Sequence, residues 1–267
     1  MTGTSLEFWI DGAKRPRTWT ERLDRKWRKL TGPRFAGKAA VTGPAGRIAL
    51  DLPADPGIRY VLDEVLARDC YPVVPGVGGI ATIVDIGANV GIAAARLRLA
   101  YPDSRILCFE PNPAALPFLR INAERARAEI LDYGLGEADA TLPLYQGAHS
   151  TVTASLTAHH MTEAKPLGDV VIRAAGPALA GLGVSAIDLL KIDTEGAEMP
   201  ILRSLAPFLA GVRIAHLEFH SESDRRAIDA MFAPTHLLWS GTVERGHTGQ
   251  IAYVRRDLAP DQPRIGA

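Results

Sequence analysis

The chain has 267 residues, of which 47% are hydrophobic, enough for one large α/β domain with an extension or for two small domains. Its 30 basic and 30 acidic residues give a formal net charge of zero, which argues against broad electrostatic binding to nucleic acid. Two cysteines, Cys70 and Cys108, do not make a disulfide framework or a thiolate metal site, so a reducing compartment fits. No apolar run approaches the roughly 18 to 20 residues that span a bilayer, and no signal peptide is evident, so we expect a cytoplasmic protein.

Residues 1–80 differ in composition from the rest and are interpreted as an N-terminal extension. The apolar spacing in residues 19–30 predicts an amphipathic helix, and a second helix is predicted over Ile58 to Arg68. We expect this helical extension to cap the substrate site or to form an oligomer contact, such as that of a homodimer. Its basic character leaves contact with an anionic substrate or a membrane surface as an alternative.

Strand and helix patterns alternate over residues 81–258. The predicted strands are residues 81–87, 105–110, 129–134, 186–193, 212–220, 236–240 and 251–256. The predicted helices between them are Ile92 to Tyr101, Pro113 to Ala128, Ala197 to Leu209 and Ser223 to Phe232. Such alternation predicts an α/β fold with a doubly wound, mainly parallel sheet and helices on both faces, and residues 259–267 are left as a tail.

Residues 141–175 interrupt this alternation with two apolar segments around a long polar stretch. A stretch of that length in a compact domain is typical of a lid or a substrate wall, so we predict a β-rich hairpin insertion here. Within it, 150–156 offers hydroxyls to a polyol. His159 and His160 are adjacent and would diverge on a strand, so we do not expect a metal site there.

The segment VDIGANVG, residues 84–91, lies where a predicted buried strand gives way to a helix. In doubly wound sheets, ligands bind at the carboxyl ends of strands, and Gly87 and Gly91 would permit close approach of a ligand and of a helix. The third glycine of the dinucleotide fingerprint is missing, and no phosphate-cradling loop follows. Asp85, just before the first glycine, favours a ligand with an ammonium group over one with a pyrophosphate.

Glu110 ends the second strand of this region, in the segment FEPNP. A carboxylate at that position can accept hydrogen bonds from both hydroxyls of a ribose. The same pairing occurs in proteins that bind nicotinamide dinucleotides, and Glu110 could also simply cap the next helix.

Three motifs, VDIGANVG, FEPNP and DLLKIDTEGAE, resemble those of the FkbM family of S-adenosylmethionine-dependent methyltransferases. The resemblance runs from about Tyr60 to Glu222 and implies a class I, Rossmann-like methyltransferase fold. It also implies that the first motif holds the methionine end of S-adenosylmethionine, that Glu110 holds the ribose, and that the adenine rests near the third strand end. The cofactor-binding residues implied in this way are Asp85, Gly87, Asn89, Gly91, Glu110, Asp132, Tyr133 and Asp193.

Candidates for the chemistry follow the fourth strand. The resemblance places Asp193 and Glu195, in KIDTEGAE, close to the methyl group or to the acceptor. Glu198, one turn further, is better explained as an anion that stabilises a helix N-terminus.

The fifth strand ends in HLEFH, whose polar side chains alternate and so share one face. His216 lies deeper and is interpreted as a satisfied core histidine. His220 is our first candidate for the general base, because its ordinary pKa of about 6.5 suits proton abstraction near neutrality. Alternatively, Asp193 and Glu218 share a magnesium ion that acidifies the acceptor hydroxyl.

These patterns together favour an O-methyltransferase that acts on a hydroxyl of a small sugar, glycoside or polyketide-type metabolite. Two alternatives stay open at this point. One is an NAD-dependent oxidoreductase on a similar sheet, and the other is a non-catalytic protein that binds S-adenosylmethionine.

Overall fold

The computed structural model describes residues 6–9, 37–55, 57–146, 154–156, 164–243 and 248–259. The helix predicted over residues 19–30, together with His159 and His160, lies outside these ranges. None of the described helices is both long enough and apolar enough to cross a bilayer.

Strands and short helices account for most of the described chain. The strands are β1 Leu6–Trp9, β2 Gly37–Gly43, β3 Gly46–Leu52, β4 Thr82–Ile86, β5 Arg105–Phe109, β6 Glu129–Leu131, β7 Gly134–Gly136, β8 Ala140–Gln146, β9 Ala154–Ser155, β10 Lys165–Ala174, β11 Leu189–Ile192, β12 Ile214–Phe219, β13 His236–Val243 and β14 Gly249–Arg255. The helices are α1 Ile58–Leu62, which a π-helical turn Asp63–Ala67 continues, α2 Ile92–Ala100, α3 Leu116–Ala126, α4 Ala175–Gly181, α5 Glu198–Ser204, α6 Ala206–Leu209 and α7 Glu222–Phe232, with a 3-10 turn at Arg256–Leu258.

A seven-stranded sheet forms the centre of the fold, in the order β13-β14-β12-β11-β4-β5-β6. The five strands from β12 to β6 run parallel, whereas β14 and β13 pair antiparallel at one edge. The strand order reverses between β4 and β11, which is where doubly wound sheets open a ligand crevice. The prediction of a class I, Rossmann-like methyltransferase fold is confirmed.

Both faces of this sheet are buried. Val84 and Ile86 of β4 pack with one apolar cluster, while Ile83 packs with another on the opposite face. Successive side chains of a strand point to opposite faces, so a strand covered on both sides must be mostly apolar, and a charge within it needs a buried partner. This explains why the apolar run in residues 81–87 correctly predicted a buried strand, which is β4.

The N-terminal extension is only partly helical, which corrects the prediction. Residues 58–67 are helical as expected, but β2 and β3 form an antiparallel hairpin, with β1 parallel to β2. Alternating burial of Ile48, Leu50 and Leu52 shows the cause, because one face of the hairpin packs against the helices α2 and α3. The Gly43–Gly46 turn joins its strands.

The insertion builds a second sheet, in the order β7-β10-β8-β9. The strand predicted over residues 129–134 is present as β6 but ends at Leu131, and β7, which begins at Gly134, pairs with β10 instead. The helix predicted over residues 197–209 is likewise divided into α5 and α6 at Leu205. The helix α4 was not predicted.

Candidate functional site

A cleft opens at the carboxyl ends of the central strands. Its floor consists of the segments that follow β4, β5 and β11, together with Glu218 of β12. Leu144, Ala154 and Ile172 of the insertion line another wall, and Tyr60 and Tyr71 of the extension line a third. The cleft therefore lies where the strand order of the central sheet reverses, and both the insertion and the N-terminal extension contribute to its walls.

Gly87 adopts a left-handed backbone with φ +76°, and a Cβ there would lie 1.8 Å from the carbonyl oxygen of Asp193. The glycine is therefore required because the β4 and β11 ends approach each other, and the predicted close approach of a ligand to Gly87, which lines the cleft, stays a prediction. Gly91, at φ +83°, begins α2 where a Cβ would lie 3.1 Å from Leu119 Cδ1 of α3. The expected close helix contact is thus present.

Glu110 is 7% exposed and lines the cleft. Its Oε2 accepts a hydrogen bond of 2.7 Å from the backbone N–H of Asn89, and its Oε1 accepts one of 2.8 Å from that of Asn112. Burial raises the pKa of Glu110, while these two hydrogen bonds oppose the rise. A carboxylate offers about four acceptor positions, so two remain for a ligand with paired hydroxyls.

Asp85 does not reach the cleft. It is fully buried, and its Oδ1 lies 2.9 Å from Nζ of Lys191 on the neighbouring strand β11. Burial and the ion pair show that the Asp85 carboxylate interacts with a neighbouring strand, and the expected contact with a ligand ammonium stays a prediction. Lys191 Nζ also donates to the carbonyl oxygen of Gly87, at 2.6 Å, which links the ion pair to the loop above.

Asp132 and Tyr133 do not line the cleft in the described part of the chain. Asp132 is exposed and pairs with Arg120 at 3.3 Å, whereas Tyr133 packs its ring edge against Phe109. The lining here comes from Gly134 and its neighbours, so the segment predicted to lie near an adenine reaches the cleft at Gly134 and not through the side chains of Asp132 and Tyr133.

Asp193 and Glu218 line the opposite end of the cleft from Glu110 along the strand ends. Burial favours protonation of Asp193, but the charge of Lys191 and hydrogen bonds from Glu218 and Tyr71 outweigh it and lower the pKa of Asp193. Burial and the charges of Asp193 and Glu195 raise the pKa of Glu218 well above its usual range. Within this pair, Glu218 is therefore the group that holds a proton more readily, and Asp193 is the group that more readily stays ionised and accepts a hydrogen bond.

Glu198 accepts hydrogen bonds from the backbone N–H groups of Thr194 and Gly196, at 3.0 and 3.1 Å, just before α5. The interpretation of Glu198 as a carboxylate at a helix N-terminus is thereby supported. Glu195, which lines the cleft, adopts a left-handed backbone with φ +57° and lies 3.4 Å from His220 Nε2.

His220 is surrounded by carboxylates. Its ring nitrogens lie 3.4, 3.5 and 3.5 Å from carboxylate oxygens of Glu195, Glu198 and Glu218. Burial opposes the charged ring, but interactions with Glu195 and Glu198 outweigh it and raise the pKa of His220 to about 10. A ring that is already protonated at neutral pH cannot accept a proton, so the geometry does not support His220 as the general base.

The spacing of Glu195, Glu218 and His220, whose ligand-type atoms lie within 4.8 Å of one another, would suit a metal ion. Asp193, half of the expected magnesium pair, is not in this group. An imidazolium has no lone pair to give a metal, and magnesium prefers oxygen ligands. The cluster therefore fits an ion-pair network better than a magnesium site.

His220 should make the free energy of unfolding depend on pH in the neutral to alkaline range. Because its folded pKa of about 10 exceeds the unfolded value of about 6.5, its contribution is complete below pH 6.5 and is lost as pH rises through 10. His220→Gln should therefore lower the urea midpoint of unfolding at pH 6.5 and leave it closer to the wild-type midpoint at pH 10. Parallel midpoint curves for the two proteins between these values would contradict this.

Two buried residues of the site carried no predicted role. Lys191 was visible as a single charge within an apolar strand, where a charge requires a partner, and that signal would have identified it. Tyr71, whose hydroxyl donates to Asp193 Oδ2, follows the extension helix at no position that a motif marks. His216 is buried as predicted, but neither ring nitrogen meets a hydrogen-bond partner among the described residues, and burial lowers its pKa to about 3.

Known proteins are similar in sequence to the part of the chain that forms most of this cleft. The methyltransferase FkbM domain matches residues 85–239, which include both ends of the cleft. Methyltransferase 1 of Beauveria bassiana is 29% identical over 55% of this chain and 67% of its own, and methyltransferase sdnD of Sordaria araneosa is 25% identical over 55% and 68%. Hexuronic acid methyltransferase AglP of Haloferax volcanii is 26% identical over 57% of this chain and 62% of its own. Since the matched domain covers more than half of the residues, the chain belongs to the FkbM methyltransferase family.

Proposed function

We propose that this protein is an S-adenosylmethionine-dependent O-methyltransferase that acts on a hydroxyl of a sugar, glycoside or polyketide-type metabolite. The observation that carries the proposal is one cleft with two chemically different ends. Glu110 lies at one end with acceptor positions to spare, and the Asp193–Glu218 pair lies at the other.

The residues of the cleft fit S-adenosylmethionine. Glu110 suits the two ribose hydroxyls, and the backbone of Gly87 to Asn89 suits the amino-acid end. The carboxylates of Asp193 and Glu195 favour the positive charges of an ammonium and a sulfonium. When bound, the cofactor supplies a methyl group on a sulfur that is already a good leaving group.

The end of the cleft that contains Asp193 and Glu218 can align the hydroxyl that receives the methyl group and can take up its proton. Asp193 is the ionised member of its pair, so it can accept a hydrogen bond from an acceptor hydroxyl and fix its orientation. The hydroxyl proton becomes much more acidic as the new carbon–oxygen bond forms. A carboxylate with a low pKa can therefore take that proton, which assigns the general base to Asp193 and not to His220.

A hydroxylated acceptor is supported by the kind of groups at this end. Asp193 and Glu218 form hydrogen bonds readily with hydroxyls, while Leu144 and Ile172 on the insertion side offer apolar surface to a ring or chain. The name of the relative from Haloferax volcanii points to a sugar acid, which agrees with a small hydroxylated acceptor.

Two substitutions test the two ends separately. Glu110→Gln should weaken S-adenosylhomocysteine binding about tenfold or more, since the amide loses charged acceptor positions that are worth roughly 1.5–3 kcal/mol per hydrogen bond. Asp193→Asn should weaken S-adenosylhomocysteine binding less than Glu110→Gln does, but lower turnover about 100-fold to 10,000-fold. Calorimetry measures the first effect, and mass spectrometry of candidate hydroxylated acceptors, for one added methyl group, measures the second.

The control is Glu129→Gln, an exposed carboxylate on β6 that pairs with Arg105 away from the cleft and should change neither value. Stabilisation of the protein by NAD, with no effect of S-adenosylhomocysteine, would refute the proposal. Binding without methyl transfer to any hydroxyl would leave a non-catalytic binding protein. Turnover that a chelator abolishes and magnesium restores would instead support a magnesium ion shared by Asp193 and Glu218.

A further inference from the structure

Tyr71 connects the N-terminal extension to the reactive end of the cleft. It lies shortly after the π-helical turn Asp63–Ala67, is 2% exposed, and lines the cleft. Its hydroxyl donates a hydrogen bond to Oδ2 of Asp193. Residues of the matched domain begin only at 85, so this contact comes from outside it.

We propose that Tyr71 is a positioning residue for methyl transfer, which orients the Asp193 carboxylate towards the acceptor hydroxyl. The proposal rests on the function proposed above for Asp193. The terminal torsion of an aspartate side chain is broad and roughly two-fold, so the strand end alone does not fix the carboxylate plane. A hydrogen bond from a buried hydroxyl to one oxygen selects one orientation and leaves the other oxygen for the acceptor.

The ring of Tyr71 is held independently of its hydroxyl. The ring centroid lies 5.5 Å from Nζ of Lys191 and 5.8 Å from the ring centroid of His216, both on the central sheet. A phenylalanine would keep these contacts and the apolar packing. The substitution Tyr71→Phe therefore removes the hydrogen bond while the wall of the cleft remains.

The direction of proton donation is fixed by the surroundings. Burial and the charge of Asp193 raise the pKa of Tyr71 well above its usual range, so the hydroxyl keeps its proton. Tyr71 therefore serves only as a donor here, and Asp193 remains the ionised acceptor. The contact in turn lowers the pKa of Asp193, so its loss should move the titration of Asp193 to higher pH.

Tyr71→Phe should lower kcat about tenfold to 100-fold, because a hydrogen bond to a charged group is removed, and leave the Kd for S-adenosylhomocysteine within about threefold. The acid limb of the kcat–pH profile should shift to higher pH, which a merely structural role would not produce. The matched control is Tyr101→Phe, because the Tyr101 hydroxyl is also buried but meets no hydrogen-bond partner among the described residues.

A second measurement does not depend on turnover. The titration of Asp193 can be followed by carboxyl NMR with isotope-labelled aspartate, assigned through Asp193→Asn. A higher pKa of Asp193 in Tyr71→Phe but not in Tyr101→Phe supports the positioning role even where no acceptor has been found. An unchanged pKa of Asp193, or a kcat for Tyr71→Phe equal to that of Tyr101→Phe, overturns it. Failure of the wild type to bind S-adenosylhomocysteine refutes the proposed function instead.

Discussion

Gly87→Ala is expected to abolish S-adenosylhomocysteine binding and to destabilise the protein by several kcal/mol. A left-handed backbone at φ +76° disfavours alanine by about 1–2 kcal/mol. The added Cβ would also lie 1.8 Å from the Asp193 carbonyl oxygen, a backbone atom that cannot rotate away. Separating the β4 and β11 ends adds about 1–3 kcal/mol or more and displaces both the cofactor loop and Asp193.

Gly76→Ala is the matched control for this effect. Gly76 has nearly the same backbone, φ +80°, but a Cβ there would meet nothing within 4 Å. It should therefore show the conformational strain alone and leave cofactor binding unchanged. Urea unfolding and calorimetric titration measure both quantities, and equal losses in the two variants would show that strain, not the approach of the strands, explains the glycine.

Gly87 also illustrates what the sequence could and could not predict. The apolar strand before it and the glycine itself identified the turn correctly, because both are local features. The clash that the glycine avoids was not predictable, since the group that excludes a side chain belongs to Asp193, which follows a strand that is distant in the chain. Local patterns predict the existence of a turn, and tertiary contacts decide what the turn approaches.

Charged residues show the same contrast between local sequence patterns and tertiary contacts more strongly. Asp85 was expected to favour a ligand ammonium because it stands just before the first glycine of the turn, yet Lys191 of the adjacent strand pairs with it. His220 was expected to be a base from its ordinary pKa, but the carboxylates of Glu195 and Glu198 reverse that expectation. A pKa depends on partners within a few ångströms, and these come from separate loops.

The extension was the least predictable part. The alternating apolar pattern of its hairpin comprises only three buried residues on β3, Ile48, Leu50 and Leu52. This pattern is too short to predict a strand next to the longer basic, amphipathic segment before it. Tyr71 belongs to no motif, and its importance is visible only where the extension meets β11. The central sheet was predicted because burial on both faces gives each strand a continuous apolar sequence, and no comparable signal marks a contact between segments.

Lys191→Met is expected to destabilise the protein by about 3–5 kcal/mol, because it leaves Asp85 as an unpaired carboxylate in the core. The longer-range result is loss of cofactor binding, since Lys191 Nζ also holds the carbonyl oxygen of Gly87 at 2.6 Å. Burial already raises the pKa of Asp85, and loss of the lysine charge removes the main opposing effect. The folded variant should take up a proton at Asp85, so its loss of stability should be larger at pH 8 than at pH 5.

The double variant Asp85→Asn, Lys191→Met separates the charge from the packing. If the unpaired charge is the main cause, removal of both charges should restore much of the stability lost in Lys191→Met, because an isosteric neutral pair avoids the desolvation of an isolated ion. Cofactor binding should not return in the double variant, because methionine cannot donate to the Gly87 carbonyl. Recovery of binding together with stability would show that the loop depends on the integrity of the sheet alone and that the lysine contact to Gly87 has no separate role.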